Sequence, residues 1–121
     1  MGKLQRNRGA NYEREVANEL TDLLGHEFRR VLGQERDGGG DVQSEDVDIL
    51  FECKRRRSLK CLYDWMDQAI VSAAQQDMKP QSHIAPLRTV PVVVFRGDNA
   101  QSLVILRLDD ITDFAGEVLG D

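Results

Sequence analysis

The stretch GGGDVQSEDVDILFECKRRR, residues 38–57, decides how this 121-residue chain is read. An acid follows a run of glycines (Asp41), an apolar strand then ends in Glu52-Cys53-Lys54, and three arginines close the stretch. Side chains on a β-strand alternate between faces, so Glu52 and Lys54 project together while Phe51 and Cys53 point the other way. Two carboxylates and an ammonium gathered at a strand end, beside a basic run, suit a site that holds a divalent cation against a phosphate.

Outward from this stretch, Gly33–Gly40 reads as a loop whose three consecutive glycines allow close approach of backbone to a ligand. Gly40–Gln43 and Val47–Lys54 read as strands joined by a Ser44-Glu45-Asp46 turn, the second apolar enough to be central. Upstream, residues 9–25 form an amphipathic helix: Val16, Ala17, Leu20, Leu23 and Leu24 recur at helical spacing, and Gly25 is the stop. Glu13 falls on that apolar face. Because a buried unpaired carboxylate is costly, it either reaches water at the helix end or points into a polar site, and the second reading is preferred. His26–Leu32 is a short first strand.

Downstream, Ser58 suits a helix cap, and Leu62, Met66, Ala69, Ile70 and Ala73 trace one face of a helix from Leu59 to about Met78. Lys79-Pro80 ends it. Val90–Phe95 is the most β-prone run; Gly97-Asp98-Asn99 turns it back into Ser102–Leu108. Asp109 or Asp110 can cap a last short helix through Phe114 to Val118. The class is α/β, with helices on a mixed sheet, and there are no internal repeats.

Composition bounds the rest. The length suits one domain, with 40% hydrophobic and 31% charged residues. No apolar run approaches the ~18 residues of a transmembrane helix, and the opening residues have no secretory pattern. Cys53 and Cys61 lack zinc-ligand spacing and read as reduced thiols. His26 and His83 lack a third ligand, Trp65 and Met66 read as packing or a subunit contact, and neither a Ser-His-Asp set nor a Gly-Lys-Ser phosphate loop is present. Net charge is −5, but residues 1–60 hold twelve basic and twelve acidic side chains while the remainder holds four and nine. A polyanion therefore meets the first half. Arg55–Arg57 alone read equally as a solvated strand end.

These residues, taken together, resemble the PD-(D/E)XK nuclease superfamily, in particular the small phage and archaeal Holliday-junction resolvases and virus-type replication-repair nucleases. The resemblance runs from Arg8 to about Arg96. RGANYEREVANEL looks like the first resolvase helix with its inward glutamate, Glu13; DGGGDV like the segment delivering a metal-binding aspartate, Asp41; DILFECKRR like the Glu-x-Lys strand, with Glu52 and Lys54. WMDQAIVSA resembles the next helix, where many members place a glutamine near the site (Gln68), and PVVVFRG the strand after it. Three departures stand. Gly40 replaces the motif's proline, Asp48 competes with Asp41 from the same strand face as Glu52, and Ser72 sits where some members have a tyrosine.

The resemblance implies one restriction-endonuclease-like domain over residues 1–121, an αβββαβ core with a mixed central sheet flanked by helices and an extra C-terminal strand and short helix. It implies a Mg²⁺-dependent DNA endonuclease, Mn²⁺ substituting, structure-selective in the resolvase manner. A nicking enzyme, an end-processing exonuclease and a non-catalytic nucleic-acid-binding subunit are the alternatives. Asp41, Glu52 and the Cys53 main-chain carbonyl would ligate the cation, with Glu13 joining directly or through water. Lys54 would act on the attacking water, with Gln68 beside the site. Arg6, Arg8, Arg29, Arg30, Arg36, Arg55 and Arg56 are the candidates for contacting phosphates of branched or duplex DNA. No membrane partner is implied. A homodimer is, since a resolvase cuts two strands symmetrically. The setting implied is the cytoplasm of a bacterial host, from a phage or prophage.

Overall fold

The computed structural model describes residues 3–32, 41–78 and 88–119, with the side chains of residues 3–7 outside that description. The elements run α1 (Lys3–Leu24), β1 (Arg29–Arg30), β2 (Val42–Gln43), β3 (Ile49–Arg55), α2 (Leu62–Asp77), β4 (Val90–Arg96), β5 (Leu103–Ile105), a 3₁₀ turn (Leu108–Asp110) and α3 (Ile111–Leu119). This is the αβββαβ order with an added strand and helix. One mixed sheet has strand order β1-β2-β3-β4-β5; only β3 and β4 are parallel, and α2 lies between them in sequence.

The alternation of side chains in the two central strands builds two cores. In the parallel register Ile49, Phe51 and Cys53 stand beside Val90, Val92 and Val94, and all six are buried on the face covered by Tyr12, Val16 and Ala17 of α1, with Phe114 and Val118 of α3. Leu50, Val93 and Phe95 occupy the other face with Trp65, Met66, Ala69 and Ala73 of α2. Trp65 stacks on Phe95, ring centroids 5.7 Å apart, so Trp65 and Met66 are core residues. β4 is buried on both faces over Val90–Phe95, as a central parallel strand must be. By the same parity Glu52 and Lys54 belong to the α2 face, beyond Leu50 at the strand's C-terminal end.

Local chemistry explains where the elements differ from expectation. α1 begins six residues early, at Lys3, and its core-facing ridge runs Tyr12–Val16–Leu20–Leu24 at intervals of four, the first two buried and the last two partly so; Leu23 lies at the margin of that ridge and is 77% exposed. Gly25, at φ 77°, ends the helix with its N–H on the Thr21 carbonyl. Ser58 does not cap α2: its Oγ accepts from the Lys60 N–H, the Leu62 N–H bonds the Leu59 carbonyl, and the helix starts only after that turn. The Gly97–Ala100 turn contains Asn99 at φ 55°, a conformation asparagine tolerates better than most residues. Asp110 is drawn into the protein, 1% exposed, between Arg88 Nη2 at 3.0 Å and Arg107 Nε at 2.8 Å. The glycine loop, the Lys79-Pro80 stop and His83 lie outside the described residues. Among those described, no helix is long and apolar enough to cross a membrane, and both cysteines are free thiols, Cys53 buried and Cys61 exposed.

Candidate active site

Asp41 is held by main-chain bonds on both sides. Its N–H donates to the Phe51 carbonyl of β3 at 3.0 Å, and its carbonyl accepts from the Val31 N–H, just past β1, at 2.9 Å. Its carboxylate then reaches along β3 and accepts the buried Cys53 N–H at 2.8 Å. One acid is thereby locked beside the pleat that carries Glu52 and Lys54. The Lys54 ammonium is 3.7 Å from Glu52 Oε2, the two side chains only 13% and 14% exposed. It also donates to Gln68 Oε1 of α2 at 3.2 Å, which fixes it from the far side.

A cleft of about 640 Å³ opens over this strand end. Asp41, Glu52, Cys53 and Lys54 form one wall; Arg8, Gly9, Tyr12 and Glu13 of α1 form another; Arg55 and Arg56 complete the lining. Glu13 lies well inside the long helix, not at its end. It is 8% exposed and accepts from Arg30 Nε of β1 at 2.9 Å. Asp48 sits at the opposite end of β3, outside the cleft lining, with its N–H on Glu117 Oε1 and its carbonyl accepting from Val90.

The basic residues divide. Arg8, Arg55 and Arg56 line the cleft. Arg30 is engaged by Glu13, and Arg29, exposed beside it, donates to the Arg30 carbonyl at 3.3 Å. Arg6 belongs to α1 with its side chain outside the described set, and Arg36 lies outside the described residues altogether. Arg55 is in register with Arg96 of β4, whose charge is met by Glu15 of α1 at 2.7 Å.

Two participants were not legible in the sequence. Tyr12 lines the cleft and its hydroxyl shares a 2.8 Å hydrogen bond with Ser102, ninety residues away. Burial pushes its phenol up to about 12, the Ser102 bond pulling the other way. Arg30 as the partner of Glu13 was the second. Only the position of Tyr12, four before Val16, offered a signal.

Among the described residues, no three or more His, Cys, Asp or Glu side chains are gathered closely enough to hold a metal ion as they stand. The donor chemistry of the cleft nonetheless fits a hard cation: carboxylate oxygens of Asp41 and Glu52 and a main-chain carbonyl at Cys53, with no imidazole among the lining residues.

Neither the curated proteins nor the solved structures contain a match to this chain. A family model described as phage putative PDDEXK endonuclease matches residues 4–117. The match runs from the first helix to the last and includes the acids and the lysine that the cleft brings together. This chain belongs to the phage PDDEXK endonuclease family, with the restriction-endonuclease-like α/β fold of that group.

Proposed function

We propose that the protein is a divalent-cation-dependent DNA endonuclease that selects branched DNA, in the manner of a junction resolvase. One observation carries the reading. Asp41, Glu52 and Lys54 share a cleft with Arg8, Arg55 and Arg56, so the acids that suit a cation and the guanidinium groups that suit phosphate meet in one place.

Asp41, Glu52 and the Cys53 carbonyl would hold the ion, Mg²⁺ or Mn²⁺. When bound, such an ion polarises a phosphoryl oxygen and lowers the pKa of water. The chain's own residues do the remainder. Lys54 Nζ, held by Gln68, orients the attacking water and offsets the negative charge that grows on the phosphoryl oxygens. Arg8, Arg55 and Arg56 fix the backbone of the strand to be cut, which positions DNA without reading its sequence. A two-fold dimer belongs to this reading, because symmetric cutting of two strands requires two such clefts.

The test is to incubate the protein with labelled four-way junction, flap, linear duplex and single strand, with and without Mg²⁺. Paired, cation-dependent cuts in the junction are expected. Cutting of one strand only, or shortening from ends, moves the protein to the nicking or exonuclease class; binding without any cut makes it a nucleic-acid-binding subunit.

A further inference from the structure

We infer that Glu13 is a positioning residue: it aims Arg30 at a phosphate of bound DNA and does not ligate the cation. The inference rests on the nuclease reading and assigns within that site the roles of two residues that side-chain type alone leaves open.

Glu13 is almost fully buried, and a carboxylate there needs a counter-charge. Arg30 supplies it: Nε lies 2.9 Å from Glu13 Oε1, the two side chains 22% and 11% exposed. Only Nε is used in that contact, so the Nη fork, the part of arginine suited to phosphate, remains for a second acceptor. The pair is also well placed. Arg30 is in register with Val42, next to Asp41, and its neighbour Val31 bonds the Asp41 main chain, so its backbone is tied beside Asp41, with β2 between it and the strand that carries Glu52. Glu13 itself lines the cleft. A third ligating acid is less well supported by the geometry, since no three acids among the described residues converge.

The two roles for Glu13 predict opposite results. If it ligates, Glu13→Ala loses cation affinity, and removing a negative charge from a DNA-facing cleft strengthens binding of the polyanion. If it positions Arg30, cation affinity stays and DNA binding weakens although a negative charge has gone.

The experiment compares full-length wild type with Glu13→Ala, Glu13→Gln, Arg30→Ala, the Glu13→Ala/Arg30→Ala double variant and Glu52→Ala. Mn²⁺ uptake is read by calorimetry, and binding of a labelled duplex in chelator by fluorescence anisotropy over a range of salt. Glu13→Ala is expected to take up Mn²⁺ like wild type while Glu52→Ala does not. Glu13→Ala and Arg30→Ala each bind the duplex about tenfold more weakly, with the salt slope reduced by about one. The double variant is no weaker than Arg30→Ala. Glu13→Gln keeps an oxygen for Nε and binds the duplex at least as well as wild type; it also decides the matter should Glu13→Ala fail to fold. Loss of Mn²⁺ uptake in Glu13→Gln, or tighter duplex binding by Glu13→Ala, overturns the inference and leaves the nuclease reading standing. A wild type that takes up neither Mn²⁺ nor duplex removes that reading as well.

Discussion

The Cys53 N–H donates to the Asp41 carboxylate at 2.8 Å in the protein interior, so one side chain both faces the cleft and completes the hydrogen bonding of β3. Structure and chemistry can be separated there. Asp41→Ala leaves a buried N–H without its acceptor, at a cost of about 1–3 kcal/mol, and removes a candidate ligand. Asp41→Asn keeps an oxygen for Cys53 and loses only the charge. Denaturant unfolding should place Asn near wild type and Ala well below it, with cleavage lost in both. Equal stability of the two variants would remove the bond's structural role.

Lys54 stands between Glu52 at 3.7 Å and Gln68 at 3.2 Å. Lys54→Ala and Glu52→Ala should each cut turnover by roughly 10²-fold or more, the usual loss for a group acting on a transferred proton or developing charge. Gln68→Ala should cost less, about tenfold, because it acts only by placing the ammonium. Glu52 and Lys54 at the end of β3 and Gln68 on α2 all lie outside the two cores, so unfolding midpoints should hardly move. Turnover retained by Lys54→Ala, in steady-state cleavage of whichever substrate is cut, would refute its role.

Much of this was legible because period-2 alternation survives in the two central strands. The run from Ile49 to Lys54 announces its two faces, and β4 announces burial on both. What escaped was set by distance in the chain. Glu13 and Arg30 are seventeen residues apart, Tyr12 and Ser102 ninety, and no local pattern joins them. The sequence marks α1 only from residue 9 because Lys3–Gly9 has a single apolar residue, Leu4, too few to show a helical period. Ser58 failed as a cap because its hydroxyl found a nearer N–H in a turn, the competition that keeps serine common at both places. Asp109 or Asp110 suits a cap for the same chemical reason, a short carboxylate before a helix, but Asp110 is drawn inward. Two arginines, one from before β4, claimed it.

That buried carboxylate yields an asymmetric prediction. Asp110 is buried while Arg88 and Arg107 are 66% and 41% exposed, so the two kinds of deletion strand different charges. Asp110→Asn leaves guanidinium groups that water can solvate and should cost about 1–2 kcal/mol. Arg88→Ala/Arg107→Ala leaves a buried anion without either cation and should cost about 3–5 kcal/mol. Neither touches the cleft, so activity of the folded fraction should be unchanged. Denaturant titration of the three proteins decides it, and a cheaper double variant would mean that Asp110 is satisfied by other groups.

Tyr12 supplies the pH test. Burial, its largest cause, pushes the phenol from 10 to about 12, against the Ser102 hydrogen bond. Between those values the unfolded chain has released the proton and the folded chain still holds it, so stability must fall as pH rises. The contribution is fully present below 10 and is lost as pH climbs through about 12, a change of about 2–3 kcal/mol. Tyr12→Phe has no proton to lose. It should be less stable than wild type at neutral pH, where the bond to Ser102 is missing, and the gap should close or reverse across that alkaline window. Urea midpoints for both proteins measure this directly: curves that stay parallel from neutral pH to above 12 would show that the phenol is as well solvated folded as unfolded, and that the α1 wall of the cleft is wetter than its packing implies.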